Sequence, residues 1–443
     1  MKMPRTPPAW EESAFELFRQ PDFRAHMATI SAVYPDRYFH WDEVRCRPVP
    51  SSFPPREHWW AYLKLKRMSQ SREVPLQDKK GNSFRYCLVD PIPELLHELD
   101  QSCSGHFQLP GQVQQAEGRE RYTISSFMEE AIRSSQIEGA VETRKIAKEM
   151  LRVGRAARNK SEQMILNNYH AMQCIKEWKK ESFTPEMLFE LHRILTVDTM
   201  PEEQIGRFRR DEERVEISDE YGEVFHIPPG ASLLGDRVSK MCRFANGATD
   251  GQFVHPVLRA IILHFWLAFD HPFLDGNGRC ARALFYWGML KENYWLAEFI
   301  SISEIIYRAP VKYYRAFLYT ETDDNDLTYF ILYHLQVIRK AVGELHEYID
   351  RKTKEIQELE KQLRLAKNVN HRQRALLSNA LRHPDRQYTF ESHQRCHGIS
   401  YQTARTDLMA LNDMGFLNAD KAGRTWYFSP AQNLGHRLNE ADS

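Results

Sequence analysis

The chain has 443 residues, and its 60 Lys+Arg balance 60 Asp+Glu for a formal charge of zero. That balance argues against holding a polyanion through bulk charge, although a local basic face is compatible with it. A hydrophobic share of 42% with 12% aromatic residues is enough to fill sizeable cores, which excludes global disorder.

The longest apolar stretch, Ala260 to Phe269, is interrupted by His264 and is half the roughly 20 residues that a bilayer span needs. It reads as a buried helix. The opening MKMPRTPPAWEESAF has no apolar run behind its basic residues and does not read as a secretory signal. Seven cysteines without a CxxC pair suggest reduced thiols, no structural zinc and a cytoplasmic location.

In chain order, residues 1–120 read as an accessory region, mostly helical, with Trp59, Trp60 and Tyr62 as local core. Lys80-Gly81-Asn82 lies between two β-prone runs in Val74 to Cys87 and predicts a hairpin. Residues 121–341 read as a helical core. Ile124, Met128, Ile132 and Ile137 recur at helical spacing, as do Ile165, Tyr169, Met172 and Ile175. Thr184-Pro185-Glu186 supplies a cap, a first-turn proline and an acid at a helix start. Arg214 to His226 interrupts the helices with β-prone arms around Asp219-Glu220-Tyr221-Gly222, predicting a second hairpin.

A polar helix is expected over residues 330–368, its segment 342–370 serving as a connector. No heptad is sustained there, so its charges read as a solvated face. Residues 371–443 change character. RQRALLSNALR is followed by a short helix from Phe390, a turn at Cys396-His397-Gly398, a helix from Ser400 to Met414, and β-prone pieces around Lys421-Ala422-Gly423-Arg424. Helix, helix-turn-helix, hairpin is the order of a winged helix. The expected fold class is mainly α.

The chemistry is concentrated in His271 to Arg282, HPFLDGNGRCAR. Gly276-Asn277-Gly278 is a turn whose amides can point inward together, followed by a helix start; both features suit an anion. Arg279 and Arg282 share one helical face, and arginine forks fit phosphate oxygens. Asp275 is a hard oxygen ligand of the kind a magnesium ion on phosphates takes. His271 has an imidazole that can accept a hydroxyl proton near neutral pH. Together these residues describe phosphate-ester chemistry on a nucleotide.

This segment resembles the signature of the Fic (Fido) family, HPFx(D/E)GNGRxxR, at every specified position. The resemblance implies a Fic-type helical core with a β-hairpin flap, and transfer of AMP from ATP to a protein Ser, Thr or Tyr hydroxyl. It further implies that His271 is the base, that Asp275 holds Mg2+ against the α- and β-phosphates, that Gly276, Asn277 and Gly278 form an anion hole, and that Arg279 and Arg282 grip the β- and γ-phosphates. Upstream, Ser134 to Gly139, SSQIEG, is similar to the family's inhibitory pattern Ser/Thr-xxx-Glu-Gly/Asn. The implied inhibitory residues are Ser134, Glu138 and Gly139, on a helix over 124–139, with Glu138 pairing with Arg282. A carboxylate there would repel the nucleotide tail.

Further parts of the chain resemble the family. Gly206-Arg207-Phe208-Arg209 precedes the second hairpin, as in similar proteins. That hairpin, with Val215, Ile217, Phe225 and His226, resembles the flap on which a target segment adds as a strand. Tyr313-Tyr314 resembles the paired tyrosines of the adenine pocket; core packing is the other reading of these rings. One departure is Asp270, where the family usually has an aliphatic residue. It either bonds to His271 or faces solvent at the helix end.

Other readings compete. An HD-type phosphohydrolase needs His then Asp, whereas the order here is Asp270-His271, and it leaves the arginines unexplained. Removal of AMP, with Glu138 orienting a water, shares the same fold, as does transfer from UTP. A DNA-binding regulator would use Ser400, Tyr401, Gln402, Thr403 and Arg405. Residues 371–443 hold nine Lys+Arg against seven Asp+Glu, a balance of +2, which is weak for phosphate contact and favours docking to protein. The resemblance also brings in self-modification and a homodimer as expectations.

Overall fold

The computed structural model describes residues 2–19, 37–50, 53, 55–104, 116–218, 221–249, 251–365, 369–383, 386–422, 425–432, 434 and 437–438. The described residues fall into two compact units, one within Met1–Phe107 and Arg119–Gly343, the other within Gln108–Gly118 and Glu344–Ser443.

The first unit begins with helices α1 (Trp10–Phe18), α2 (Trp41–Val44) and α3 (Arg56–Gln70). Trp59, Trp60 and Tyr62 are buried with Val44 and Phe53, forming the local core that their size suggested. The hairpin β1 (Arg72–Gln77) and β2 (Ser83–Tyr86) pairs Val74 with Phe84. Asp78 closes its turn by accepting from the amides of Lys80 and Asn82, both at 2.8 Å. Helix α4 follows (Ile92–Leu99).

These residues, set apart in the sequence as an accessory region, share a compact unit with the signature segment, and buried charge explains how. Lys64 Nζ lies 2.8 Å from Asp323 Oδ1, Arg67 Nε 3.0 Å from Asp326 Oδ2, and Tyr38 Oη donates to Asp323 at 2.7 Å. Lys64, Arg67, Asp323 and Asp326 are all buried. Removing either side would strand ions in the interior.

Helices α5 (Ala116–Ile137), α6 (Arg144–Val153), α7 (Lys160–Trp178) and α8 (Pro185–Thr196) come next. Thr184 caps α8 by accepting from the Met187 amide. The second hairpin is shorter than its β-prone arms suggested. Only β3 (Ile217–Ser218) and β4 (Val224–His226) pair, with Ile217 opposite His226. Val215 precedes the pairing, and Asp219 and Glu220 lie outside the described residues.

After α9 (Leu234–Ala245), helices α10 (Pro256–Asp270) and α11 (Asn277–Lys291) form the centre of the unit. Helix α10 is apolar on all sides because it is enclosed: Ile261, Leu263, Phe265 and Leu267 are fully buried. A Cβ at Gly288 would meet Ala260 Cβ at 3.0 Å, so the glycine is what lets α11 approach α10. Helices α12 (Ile302–Tyr307), α13 (Pro310–Thr322) and α14 (Thr328–Leu365) complete the series. No helix among the described residues is long and apolar enough to cross a membrane.

The second unit contains α15 (His371–Arg382), α16 (Phe390–His397), α17 (Tyr401–Asp413) and the hairpin β5 (Leu417–Ala422) and β6 (Thr425–Pro430). Gly398 and Gly415 adopt positive φ after α16 and α17, where a side chain would be strained. Leu377, Leu408, Leu411 and Phe428 form its core. Beside that core, Asp407 accepts from Arg372 at 2.7 Å and Asn370 at 2.8 Å.

Candidate active site

Helix α10 ends because His271 turns left-handed, at φ +45, and Pro272 follows. The His271 Nδ1–H donates to the Ala268 carbonyl at 3.2 Å. This tautomer leaves the Nε2 lone pair free to take a proton. Burial is the main cause that lowers the His271 pKa to about 4, against the opposing pull of the Ala268 carbonyl.

Asp270 meets neither expectation raised for it. Its carboxylate is 1% exposed and does not bond to His271. It accepts from Arg237 Nε at 2.8 Å and from Trp266 Nε1 at 3.0 Å. Burial raises its pKa, and Arg237 opposes the rise.

The signature loop closes on itself. Asn277 accepts from the Phe273 amide and donates to the Phe273 carbonyl, each at 2.9 Å. Its side chain therefore staples the turn, and the Gly276 amide, expected in the anion hole, instead donates to Asp275 Oδ1. Gly276 precedes α11 at φ +83, and a Cβ there would press on Thr196 at 3.0 Å. Arg279 is fully buried. Its Nη1 donates to Leu195 O at 2.9 Å, while Nε and Nη2 have no hydrogen-bond partner. Nη2 lies 3.6 Å from Asp275 Oδ1, an ion pair longer than a hydrogen bond, and Nε has capacity that an anion would satisfy.

Ser134 and Glu138 meet Arg282 across the site. Arg282 Nε donates to Ser134 Oγ at 2.8 Å, and Nη2 to Ser134 O and Glu138 Oε1, both at 2.9 Å. A Cβ at Gly278 would lie 2.1 Å from Glu138 Oε1. The carboxylate thus rests on the first turn of α11, where backbone amides favour an anion. Gly139 ends the segment at φ +92.

Two supports, Glu130 and His192, had no local sequence signal, and a third, Arg209, lies in the Gly206–Arg209 stretch. Glu130 on α5 accepts from Tyr286 Oη at 2.9 Å, Ser301 Oγ at 2.8 Å, and the Ser303 amide at 3.0 Å. His192 on α8 accepts from the Gly206 amide through Nδ1 at 2.9 Å, and its Nε2 lies 3.0 Å from Asp275 O. Arg209 donates from Nε to His271 O at 2.9 Å and from Nη2 to Pro229 O, and its amide donates to Pro272 O at 2.9 Å. The Gly206–Arg209 turn, noted in the sequence only as a similarity, bonds directly to the signature loop through Arg209 and reaches Asp275 through His192 at its Gly206 end.

The paired tyrosines part company. Tyr313 is buried, with its hydroxyl 2.8 Å from His264 Nε2, so it packs as core. Tyr314 is 40% exposed and retains a free ring surface. In the hairpin, His226 bonds to Glu321 at 2.7 Å and to Phe269 O at 2.8 Å. Ile217 and Phe225 are half-buried, and Tyr221, Val224 and Ile227 are exposed.

Among the described residues no three His, Cys, Asp or Glu side chains converge as a metal site. Asp275 has a side chain 48% exposed, with Oδ1 held by the Gly276 amide at 2.5 Å. A lone accessible carboxylate fits a hard cation that takes its other ligands from phosphate and water.

Comparison with known proteins agrees with this geometry. A model of the Fic/DOC family matches residues 182–289, which include the signature. Protein adenylyltransferase Fic of Nematostella vectensis is 28% identical over 198 residues, 43% of this chain and 43% of that one. The protein of the same name from Culex quinquefasciatus is 34% identical over 116 residues, 26% of this chain and 21% of that one. The chain thus spans less than half the length of these curated relatives. The crystal structure of a Fic family protein from Desulfovibrio desulfuricans G20 shares the fold, with a TM-score of 0.53 at 19% identity, over 78% of this chain and 98% of that one. Residues 182–289 thus carry a Fic/DOC-type domain by the family model, and the complete signature loop lies within it.

Proposed function

We propose that this chain transfers AMP from ATP to a protein hydroxyl and that Glu138 holds the activity down. The observation that carries the reading is the Glu138 carboxylate on Gly278, paired with Arg282 at 2.9 Å. An acid side chain resting on a helix N-terminus and an arginine stands where a phosphate tail would lie. The naming of relatives as protein adenylyltransferase supports the same reaction.

In the active form, the triphosphate tail lies on the first turn of α11, against Arg279 and Arg282. Asp275 would hold Mg2+, which would supply neutralisation of phosphate charge. His271 Nε2 takes the proton from the target hydroxyl. The oxygen then bonds to the α-phosphorus, and the bond to pyrophosphate breaks. The hairpin, with Val215, Ile217, Phe225 and His226, receives the target segment along its edge, and the exposed Tyr314 ring takes the adenine. The tail serves as a winged-helix docking module for protein.

Incubation of wild type, Glu138→Gly and His271→Ala with labelled ATP tests this. Self-labelling rises in Glu138→Gly and vanishes in His271→Ala. Labelling in Glu138→Gly no higher than in wild type would overturn the inhibitory role. Loss of AMP removal in Glu138→Gly would point to the reverse reaction, and a parallel assay with UTP tests the donor.

A further inference from the structure

We infer that His192 is a positioning residue that sets the orientation of the Asp275 carboxylate, and so the strength of the cation site. The inference rests on the nucleotidyl-transfer reading above. His192 is fully buried on α8, far from the signature in sequence, and stacks on Phe273 at 3.8 Å with an interplanar angle of 12°. Both ring nitrogens are used. Nδ1 faces an N–H, that of Gly206, and therefore accepts. Nε2 therefore carries the hydrogen and donates to the Asp275 carbonyl. The neighbours alone fix this neutral tautomer.

The bond reaches the carboxylate through the peptide plane. In a trans peptide the carbonyl and the next N–H point opposite ways. Holding the Asp275 carbonyl toward His192 turns the Gly276 amide away from it, and that amide is the donor to Asp275 Oδ1 at 2.5 Å. The carboxylate is thereby tethered at Oδ1 before any cation arrives, with Arg279 Nη2 3.6 Å from the same oxygen. His192 and Thr196 crowd Gly276 closely enough that an added Cβ would meet them at 3.5 and 3.0 Å. Partners that orient a metal ligand typically change metal affinity by about 10–100-fold when removed.

The test uses the full chain carrying Glu138→Gly as parent, with His192→Phe and His192→Gln added to it. Phenylalanine keeps the stack on Phe273 and loses both hydrogen bonds. Glutamine can still accept from Gly206 and donate to Asp275. Calorimetry gives ATP affinity in EDTA and in Mg2+, and electron paramagnetic resonance gives Mn2+ affinity with a non-hydrolysable ATP analogue. His192→Phe should hold metal-free ATP within about twofold of the parent and weaken Mn2+ by about 10-fold or more. His192→Gln should restore most of that loss. Mn2+ binding in His192→Phe as tight as in the parent would overturn the inference. So would an equal loss of ATP affinity with and without metal, which marks general loop support. Failure of the parent itself to bind ATP would overturn the nucleotidyl-transfer reading, and this inference with it.

Discussion

Glu130 and Glu138 stand two helical turns apart and meet opposite surroundings. Glu130 is buried among Tyr286, Ser301 and Ser303, all donating to it, whereas Glu138 reaches Arg282 alone with a side chain still 26% exposed. The first fixes where α5 lies; the second is the part that can move. Glu130→Ala should remove the shared acceptor of Tyr286, Ser301 and Ser303, leaving the buried Ser303 hydroxyl and amide without it, and lower the unfolding free energy by about 2 kcal/mol, measured in urea. With the register of α5 loosened, self-labelling should also rise. An unchanged urea midpoint would refute the anchoring role.

On the proposed reading, the pH dependence of transfer follows from the pKa of His271, lowered to about 4. A base is lost as pH falls through its folded pKa. In the Glu138→Gly background, kcat/KM should therefore stay flat from pH 8 to about 5, where a free imidazole would already fade near 6.5. A break at 6.5 would contradict the buried, neutral imidazole.

Asp270→Asn separates neighbour from partner. Because Asp270 bonds to Arg237 and Trp266 and not to His271, the acid limb of the rate profile should not move. Stability should fall by about 3 kcal/mol, since Arg237 loses its buried counter-charge. A shifted acid limb would show that the carboxylate acts on the base after all.

Acid lability is expected as well. Burial lowers His40 to about 3 and both His192 and His334 to about 4. Unfolded histidines bind protons near 6.5. Between pH 6.5 and 4 the unfolded chain therefore takes up protons that the folded chain refuses. Stability is fully present above pH 6.5 and declines as pH falls, by up to about 1.4 kcal/mol per pH unit for each group. Urea midpoints at pH 7, 5.5 and 4.5 measure this; equal midpoints would exclude it.

The signature was legible because its groups are contiguous and each keeps its chemistry wherever the loop is placed. Helix α10 was legible from its apolar run, and the α8 cap from Thr184-Pro185. The supports were not. Lys64 finds Asp323 at a separation of 259 residues and Arg282 finds Ser134 at 148, distances at which no spacing rule operates. Asp270 was ambiguous because its partner, Arg237, lies on another helix. Tyr313 and Tyr314 are chemically alike, and only the packing around His264 separates the buried ring from the open one.

The contact between Ala260 and Gly288 has a bearing on speed. Where two helices touch almost backbone to backbone, the close packing resists their sliding past one another. On the proposed reading the proton acceptor His271 ends one of these helices and Arg279 and Arg282 lie on the other, so the packing between them helps hold their spacing. On the proposed reading, switching then consists of swinging a single acidic arm about its own bonds. Partly exposed arms of that kind turn in picoseconds to nanoseconds, far faster than any rearrangement of domains.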